Sequence, residues 1–160
     1  MRHAIFVLLL AALCSAAAQT SPVAKADDIS GMYTFLQEGE FVQINIEDTS
    51  KVTGFISRYG TSESDKGEFL DQMFSEGALT GNRIRFKTRA VHGITYEFSG
   101  TAELGQGRKL GEEGYRVLHG KLTQFTEDEN KKVTAKSRDI TLKSFPSEAT
   151  GDDSPKRRAD

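Results

Sequence analysis

Two histidines are the first side chains to weigh for chemistry: His92 in the run RAVHG (89–93) and His119 in YRVLHGKLTQF (115–125). Zinc needs three or four ligands in one place. Pairing the strands that flank them sets His119 opposite Ser99, seven residues along from His92. At ~3.3 Å per residue they lie ~23 Å apart. The two cannot share a metal, and a three-histidine zinc centre is impossible. His92 is either part of a barrel mouth or an ordinary loop histidine. His119 faces outward and is assigned no role. The glycine-rich run GQGRKLG (105–111) approaches a phosphate-binding loop. Its spacing is wrong, and no helix follows to offer an N-terminus, so it reads as a flexible hairpin loop. The acidic runs Glu63-Ser64-Asp65 and Glu127-Asp128-Glu129-Asn130 offer the oxygen ligands calcium prefers, but without EF-hand spacing. They read as solvated turns.

No GxSxG, HExxH, CxxC or Walker sequence occurs. Ser, His and Asp show no spacing that singles out a triad. Paired carboxylates for glycoside hydrolysis leave no mark in a sequence, because their geometry is tertiary. The sequence assigns no catalytic residue, no metal and no cofactor.

An aromatic set remains. Tyr33, Phe35, Phe86, Tyr96 and Phe98 are predicted to share one face, with Gly54, Gly100 and Gly120 among them. Small residues beside large ones produce either tight interdigitation or a cavity. Buried tyrosine hydroxyls need partners. Inward Asn82 and Arg58, toward strand ends, either supply those partners or orient a ligand. The candidate ligand-binding residues are therefore Tyr33, Phe35, Arg58, Phe86, His92, Tyr96 and Phe98.

The elements that must position them follow from alternation along strands. A two-residue turn at Glu38-Gly39 pairs Phe35 with Val42, Tyr33 with Ile44 and Gly31 with Ile46. A turn centred on Thr49 then pairs Ile46 with Val52, Ile44 with Gly54 and Val42 with Ile56. One apolar face runs across three strands, and a one-residue slip would scatter it. Phe69, Leu70, Met73 and Phe74 recur at helical spacing, which predicts one short helix over 68–76 ended near Gly77; a strand is the alternative. A second meander covers 79–88, 94–103, 115–125 and 133–145. Pairing Phe86 with Tyr96 and Ile84 with Phe98 leaves 89–93 as the connection and brings Glu97 close to Arg85. The fold class is all-β: an antiparallel up-and-down meander of seven or eight strands. Closure into a barrel removes exposed edges; a two-sheet sandwich is the alternative.

Bulk properties bound the rest. A basic start, an apolar run at 4–13 and Ala16-Ala17-Ala18 form a secretory signal over 1–18. The run is too short for a membrane span, which needs ~20 residues. Leu13 before Cys14 argues against lipidation. Removal of the signal leaves no cysteine, so a disulfide-free exported domain, periplasmic or extracellular, must rest on its core. A polar lead-in (19–28), a domain (29–146) and a disordered tail (147–160) follow. The Lys156-Arg157-Arg158 triplet in the tail is diluted by Asp152, Asp153 and Asp160. With 21 Lys+Arg against 23 Asp+Glu, nothing argues for nucleic acid as a partner.

Gly31-Met32-Tyr33 near the start of the first strand, and the repeated units LTGNRIRF and LHGKLTQF, give 29–145 a layout that resembles calycin-type barrels, the lipocalin-like and avidin-like proteins. In those families the first-strand Gly-x-Trp carries tryptophan where Tyr33 stands here. The tryptophans lining the avidin biotin pocket are also missing, since the chain has no Trp. The resemblance implies an internal or mouth-side site for a small apolar ligand, and does not imply biotin. The leading expectation is a non-enzymatic exported barrel that binds a small apolar or amphipathic molecule. The alternatives are a structural or interaction module with a solid core, and a hydrolase whose site assembles only in three dimensions.

Overall fold

The computed structural model describes residues 29–48 and 50–147. The signal, the lead-in, the turn centre Thr49 and the tail beyond Ser147 lie outside the described residues. Eight strands follow in chain order: β1 (Gly31–Thr34), β2 (Phe41–Ile46), β3 (Val52–Tyr59), β4 (Phe69–Thr80), β5 (Arg83–Thr88), β6 (Ile94–Leu104), β7 (Arg116–Glu127) and β8 (Val133–Lys143). Each pairs antiparallel with the next in one eight-stranded sheet. The sheet curls until its outer strands meet. Tyr33 bridges Ser144, the Phe145 amide donates to the Met32 carbonyl at 2.9 Å, and the Lys143 amide donates to Thr34 Oγ1 at 3.0 Å. Residues 133–139, at the other end of β8, are exposed.

Alternation builds the core. Tyr33, Val42, Ile44, Val52 and Ile56 are buried on one face of β1–β3, and Ile84, Phe86, Phe98, Leu118, Leu122 and Leu142 close the ring. Each large apolar side chain so buried contributes about 1.5–3 kcal/mol. The β2–β3 register is the predicted one, with Ile46 opposite Val52 and Val42 opposite Ile56. Elsewhere it slips by two. Tyr33 lies opposite Val42, and Phe86 opposite Phe98. The first slip arises because the β1–β2 connection is six residues (35–40), closed by the Phe35 amide on the Glu40 carbonyl at 3.1 Å. An even slip keeps every side chain on its face. The outer ion pair becomes Lys87–Glu97 at 2.8 Å instead of Arg85–Glu97.

The predicted helix over 68–76 is a strand, and it completes the count of eight. β4 pairs with β3 through 69–73 and with β5 through 74–80, with a bulge between Phe74 and Glu76. Leu70, Gln72 and Phe74 alternate inward, while Phe69 and Met73 lie exposed on the outer face. A polar residue on the inward face and apolar ones outside imitate a helical stripe. The backbones of β3 and β5 both need a partner here, and a helix would leave them unpaired. Gly77 is no helix stop; it lets β4 pass against the Val52 carbonyl. The sequence Gly81-Asn82 is a hairpin turn inside what reads as one strand over 79–88.

Gly54, Gly100 and Gly120 do face inward, and two of them are filled space. Gly100 lies opposite Gly120, and Cβ atoms there would meet Phe98 Cζ at 2.8 and 2.9 Å. The Phe98 ring rests on the pair of glycines, so small against large is interdigitation in mid-barrel. Gly54 has φ +145, and a Cβ would overlap the Gln43 carbonyl oxygen across the strand pair. Gly54→Ala should therefore destabilise the fold by roughly 1–3 kcal/mol, read as a lower urea midpoint at unchanged m-value. A midpoint equal to wild type would disprove the close approach.

Candidate functional site

The barrel interior differs between its ends. At one end Ile29, Tyr33, Leu118 and Leu142 pack together, and the Tyr33 hydroxyl donates to the Ile29 carbonyl at 2.7 Å. Burial pushes this phenol well above its usual range, against the opposing field of Arg116. At the other end, where the β1–β2, β3–β4, β5–β6 and β7–β8 connections gather, buried polar residues join Ile94 and Tyr96: Glu40, Arg58, Asp65, Gln72 and Thr88.

Arg58 follows Ile56 inward along β3 and is 2 % exposed. Its Nε donates to Gln72 Oε1 at 2.6 Å, and its Nη1 to the Tyr59 carbonyl at 3.0 Å. Its Cζ stands 5.9 Å from the centre of the Tyr96 ring. Nη2 is buried without a hydrogen-bond partner, and among the described residues no carboxylate lies at ion-pair distance from the guanidinium. Glu40, also buried, spends its carboxylate on backbone: one oxygen accepts from the Tyr59 amide at 3.0 Å, the other from the Gln37 amide at 3.1 Å.

Gln72, wholly buried, explains why Arg58 holds its place. Its Nε2 donates to the carbonyls of Ile94 at 2.9 Å and Arg89 at 3.1 Å. Those acceptors fix the amide's orientation, and Oε1 is left facing the guanidinium. Thr88 Oγ1 accepts the Tyr96 amide at 2.9 Å. Phe35, in the β1–β2 connection, meets the Tyr96 ring edge-on at 5.4 Å. Burial raises the Tyr96 phenol, while Arg58 pulls it back.

A clasp crosses the rim. Asp65 Oδ1 accepts from the Ser62 amide at 2.7 Å and the Ser62 hydroxyl at 2.6 Å. Asp65 Oδ2 accepts from His92 Nδ1 at 2.5 Å. The Ser62 hydroxyl, with help from His92, holds this carboxyl below its usual range. That is the opposite of the raised acid a hydrolytic carboxylate pair needs. His92 sits at φ +50, a left-handed conformation uncommon for histidine.

The candidate residues thus divide. Phe35, Arg58 and Tyr96 gather at the polar end, and His92 guards its rim. Phe86 and Phe98 stack at 5.2 Å in mid-barrel, continued by Phe74 at 4.4 Å from Phe86. Tyr33 lies at the opposite end. Asn82 is half-buried in the β4–β5 turn, its carbonyl accepting the Ala102 amide. His119 is exposed opposite Thr101, not Ser99. Gln72 and Asp65 are the functional residues the sequence hides, one in a supposed helix and one in a supposed solvated turn. The Ser62-x-x-Asp65 spacing was the available signal for the second. A cavity of about 470 Å³ runs along residues 34–40 to Glu113, Phe145 and Pro146; Arg58 and Tyr96 do not line it. A larger one of about 660 Å³ lies on the outer face, between Arg85, Lys87, Glu97 and Lys121.

No protein-family model and no curated protein matches the sequence. Solved structures do match its backbone. The rhizavidin–biotin complex superposes with a TM-score of 0.53 at 12 % identity, over 72 % of this chain and 99 % of that one. Rhizavidin itself gives 0.56 at 12 %, over 76 % and 86 %. Intact afifavidin in its apo form gives 0.54 at 12 %, over 77 % and 85 %. The chain has an avidin-like fold. Among the described residues no three His, Cys, Asp or Glu side chains gather at metal-binding range, and no helix is long and apolar enough to cross a membrane.

Because the folded Asp65 carboxyl titrates below its unfolded value near 3.8, the clasp stabilises the rim fully above about pH 4 and is lost as pH falls through the lower folded value. Protection of the Ser62 amide against hydrogen exchange should fall over that acid range in the wild type. Asp65→Asn should show fast exchange already at pH 6. Slow exchange in the variant would refute the clasp.

Proposed function

We propose that the protein binds a small amphipathic molecule at the polar end of its barrel, with Phe35 and Tyr96 as the apolar wall and Arg58 as the polar anchor. The observation that carries this reading is the guanidinium of Arg58, buried without a carboxylate. Burial of an unpaired charge costs several kcal/mol, and an apolar side chain of similar size would serve packing better. Phe98, seated on Gly100 and Gly120, forms the floor beneath. The avidin-like backbone supports a small-molecule site, and one neighbour is a complex with biotin. This chain's lack of tryptophan points away from that ligand. The protein acts as a binder and not an enzyme, and the signal at 1–18 sends it to the periplasm or outside the cell.

A second reading has its own support on the outer face of β1–β4. Phe41 contacts Phe55 at 5.8 Å and Phe145 at 6.5 Å, and Met73, Phe69 and Met32 are 50 %, 49 % and 37 % exposed. Such a patch suits a protein partner.

Titration with the neutral fluorophore N-phenyl-1-naphthylamine separates the two. Saturable one-to-one binding is expected, weakened about tenfold (~1.4 kcal/mol) by Phe35→Ala and untouched by Met73→Lys on the outer patch. No saturable binding to a folded sample, or loss through Met73→Lys alone, would overturn the mouth as the site.

A further inference from the structure

We infer that the molecule taken up at the polar end carries a carboxylate head on a short apolar tail, and that Arg58 Nη2 holds the head. The inference rests on the mouth being the binding site and adds the charge and length of what enters it.

A guanidinium offers five N–H groups in a rigid fork and accepts nothing. Gln72 takes Nε and the Tyr59 carbonyl takes Nη1, which leaves Nη2 buried and unused. Gln72 is pinned by two backbone carbonyls on its other side, so the fork cannot turn away. An acceptor with two oxygens is its natural complement. Among the described residues none reaches it: Glu40, the nearby buried carboxylate, is committed to the amides of Tyr59 and Gln37.

The charge of the mouth is the second, independent observation. Directly opposed residues on neighbouring strands share a face. Phe98 opposes Leu122, which opposes Arg138; Tyr96 opposes Gln124, which opposes Lys136. Register therefore places Arg138 and Lys136 on the barrel's inward side, and both are exposed. The field of Arg138 reaches the Tyr96 phenol. They stand on the part of β8 that pairs with β7 alone among the described residues, away from the seam with β1, which is joined at Tyr33–Ser144, Met32–Phe145 and Thr34–Lys143. Arg58, Lys136 and Arg138 thus share the inward side of this end, while the carboxylates of Glu40, Asp65, Glu127 and Asp128 there are each engaged by hydrogen bonds or an ion pair. A cationic head is repelled, and a neutral one leaves the Arg58 charge unbalanced.

Depth sets the tail. Phe35 and Tyr96 offer an aromatic wall, and the Phe98 ring closes the barrel below them. Because the Phe98 ring fills mid-barrel on Gly100 and Gly120, the barrel's length is closed to a long acyl chain, and the tail we infer is short.

Calorimetric titration of the full-length protein with octanoate, 1-octanol and octylammonium tests the inference. Octanoate should bind about tenfold to hundredfold tighter than 1-octanol, with octylammonium weakest. Arg58→Met should erase the preference for octanoate while 1-octanol binding persists. Lys136→Ala combined with Arg138→Ala, both exposed and tolerant of change, should lower octanoate affinity severalfold, less so at high salt. Equal affinity for octanoate and 1-octanol would overturn the anionic head and leave amphipathic binding standing. No binding of any of the three to the folded protein would remove both. If Arg58→Met fails to fold, the double alanine variant decides, and an unchanged octanoate-to-octanol ratio counts against the inference. A crystal grown with octanoate that shows only a water on Nη2 would also overturn it.

Discussion

The contact between Arg58 Nε and Gln72 Oε1 ties more of this barrel together than its 2.6 Å suggests. Gln72 belongs to β4, Arg58 to β3, and the carbonyls that Gln72 engages belong to Arg89 and Ile94 at either side of the β5–β6 connection. One side-chain amide thereby joins three elements that meet at the same end. An amide buried in a β core is tolerable only when all its groups are satisfied. The arrangement is rigid for that reason, and the guanidinium inherits the rigidity. Phe35 and Tyr96 are then placed against a fixed charge.

Packing beneath this layer limits what the interior holds. Aromatic rings facing glycines leave two outcomes open in the sequence, tight interdigitation or a cavity. Across the strands they become a ring seated in a groove: Phe98 over Gly100 and Gly120, stacked in turn on Phe86 and Phe74. Close-packed interiors leave few voids larger than a water molecule. The middle of the barrel is therefore structural, and the capacity for chemistry is displaced to the end where polar groups were buried and one was left unmatched.

Backbone similarity to rhizavidin and afifavidin at 12 % identity shows how little of this depends on shared side chains. Antiparallel strands joined by short connections curl and close for reasons of twist and edge satisfaction. Many side-chain sets satisfy those demands. What enters the mouth depends instead on a handful of residues, and fold alone does not name them.

Composition and alternation by themselves determined the all-β meander, the inward face of Tyr33, Val42, Ile44, Val52 and Ile56, and the inward placing of Arg58 and Tyr96. They succeeded because a two-residue period survives the two-residue register slips at β1–β2 and β5–β6. Tertiary structure alone decided that 68–76 is a strand, since the unpaired backbones of β3 and β5 outweigh a local helical spacing. It alone decided that Asp65 meets His92 across 27 residues, and that Gln72 faces Arg58 across 14. Such contacts carry no local period. They exist only once the sheet has curled and brought its connections to one rim, and there the geometry of hydrogen bonds chooses the partners.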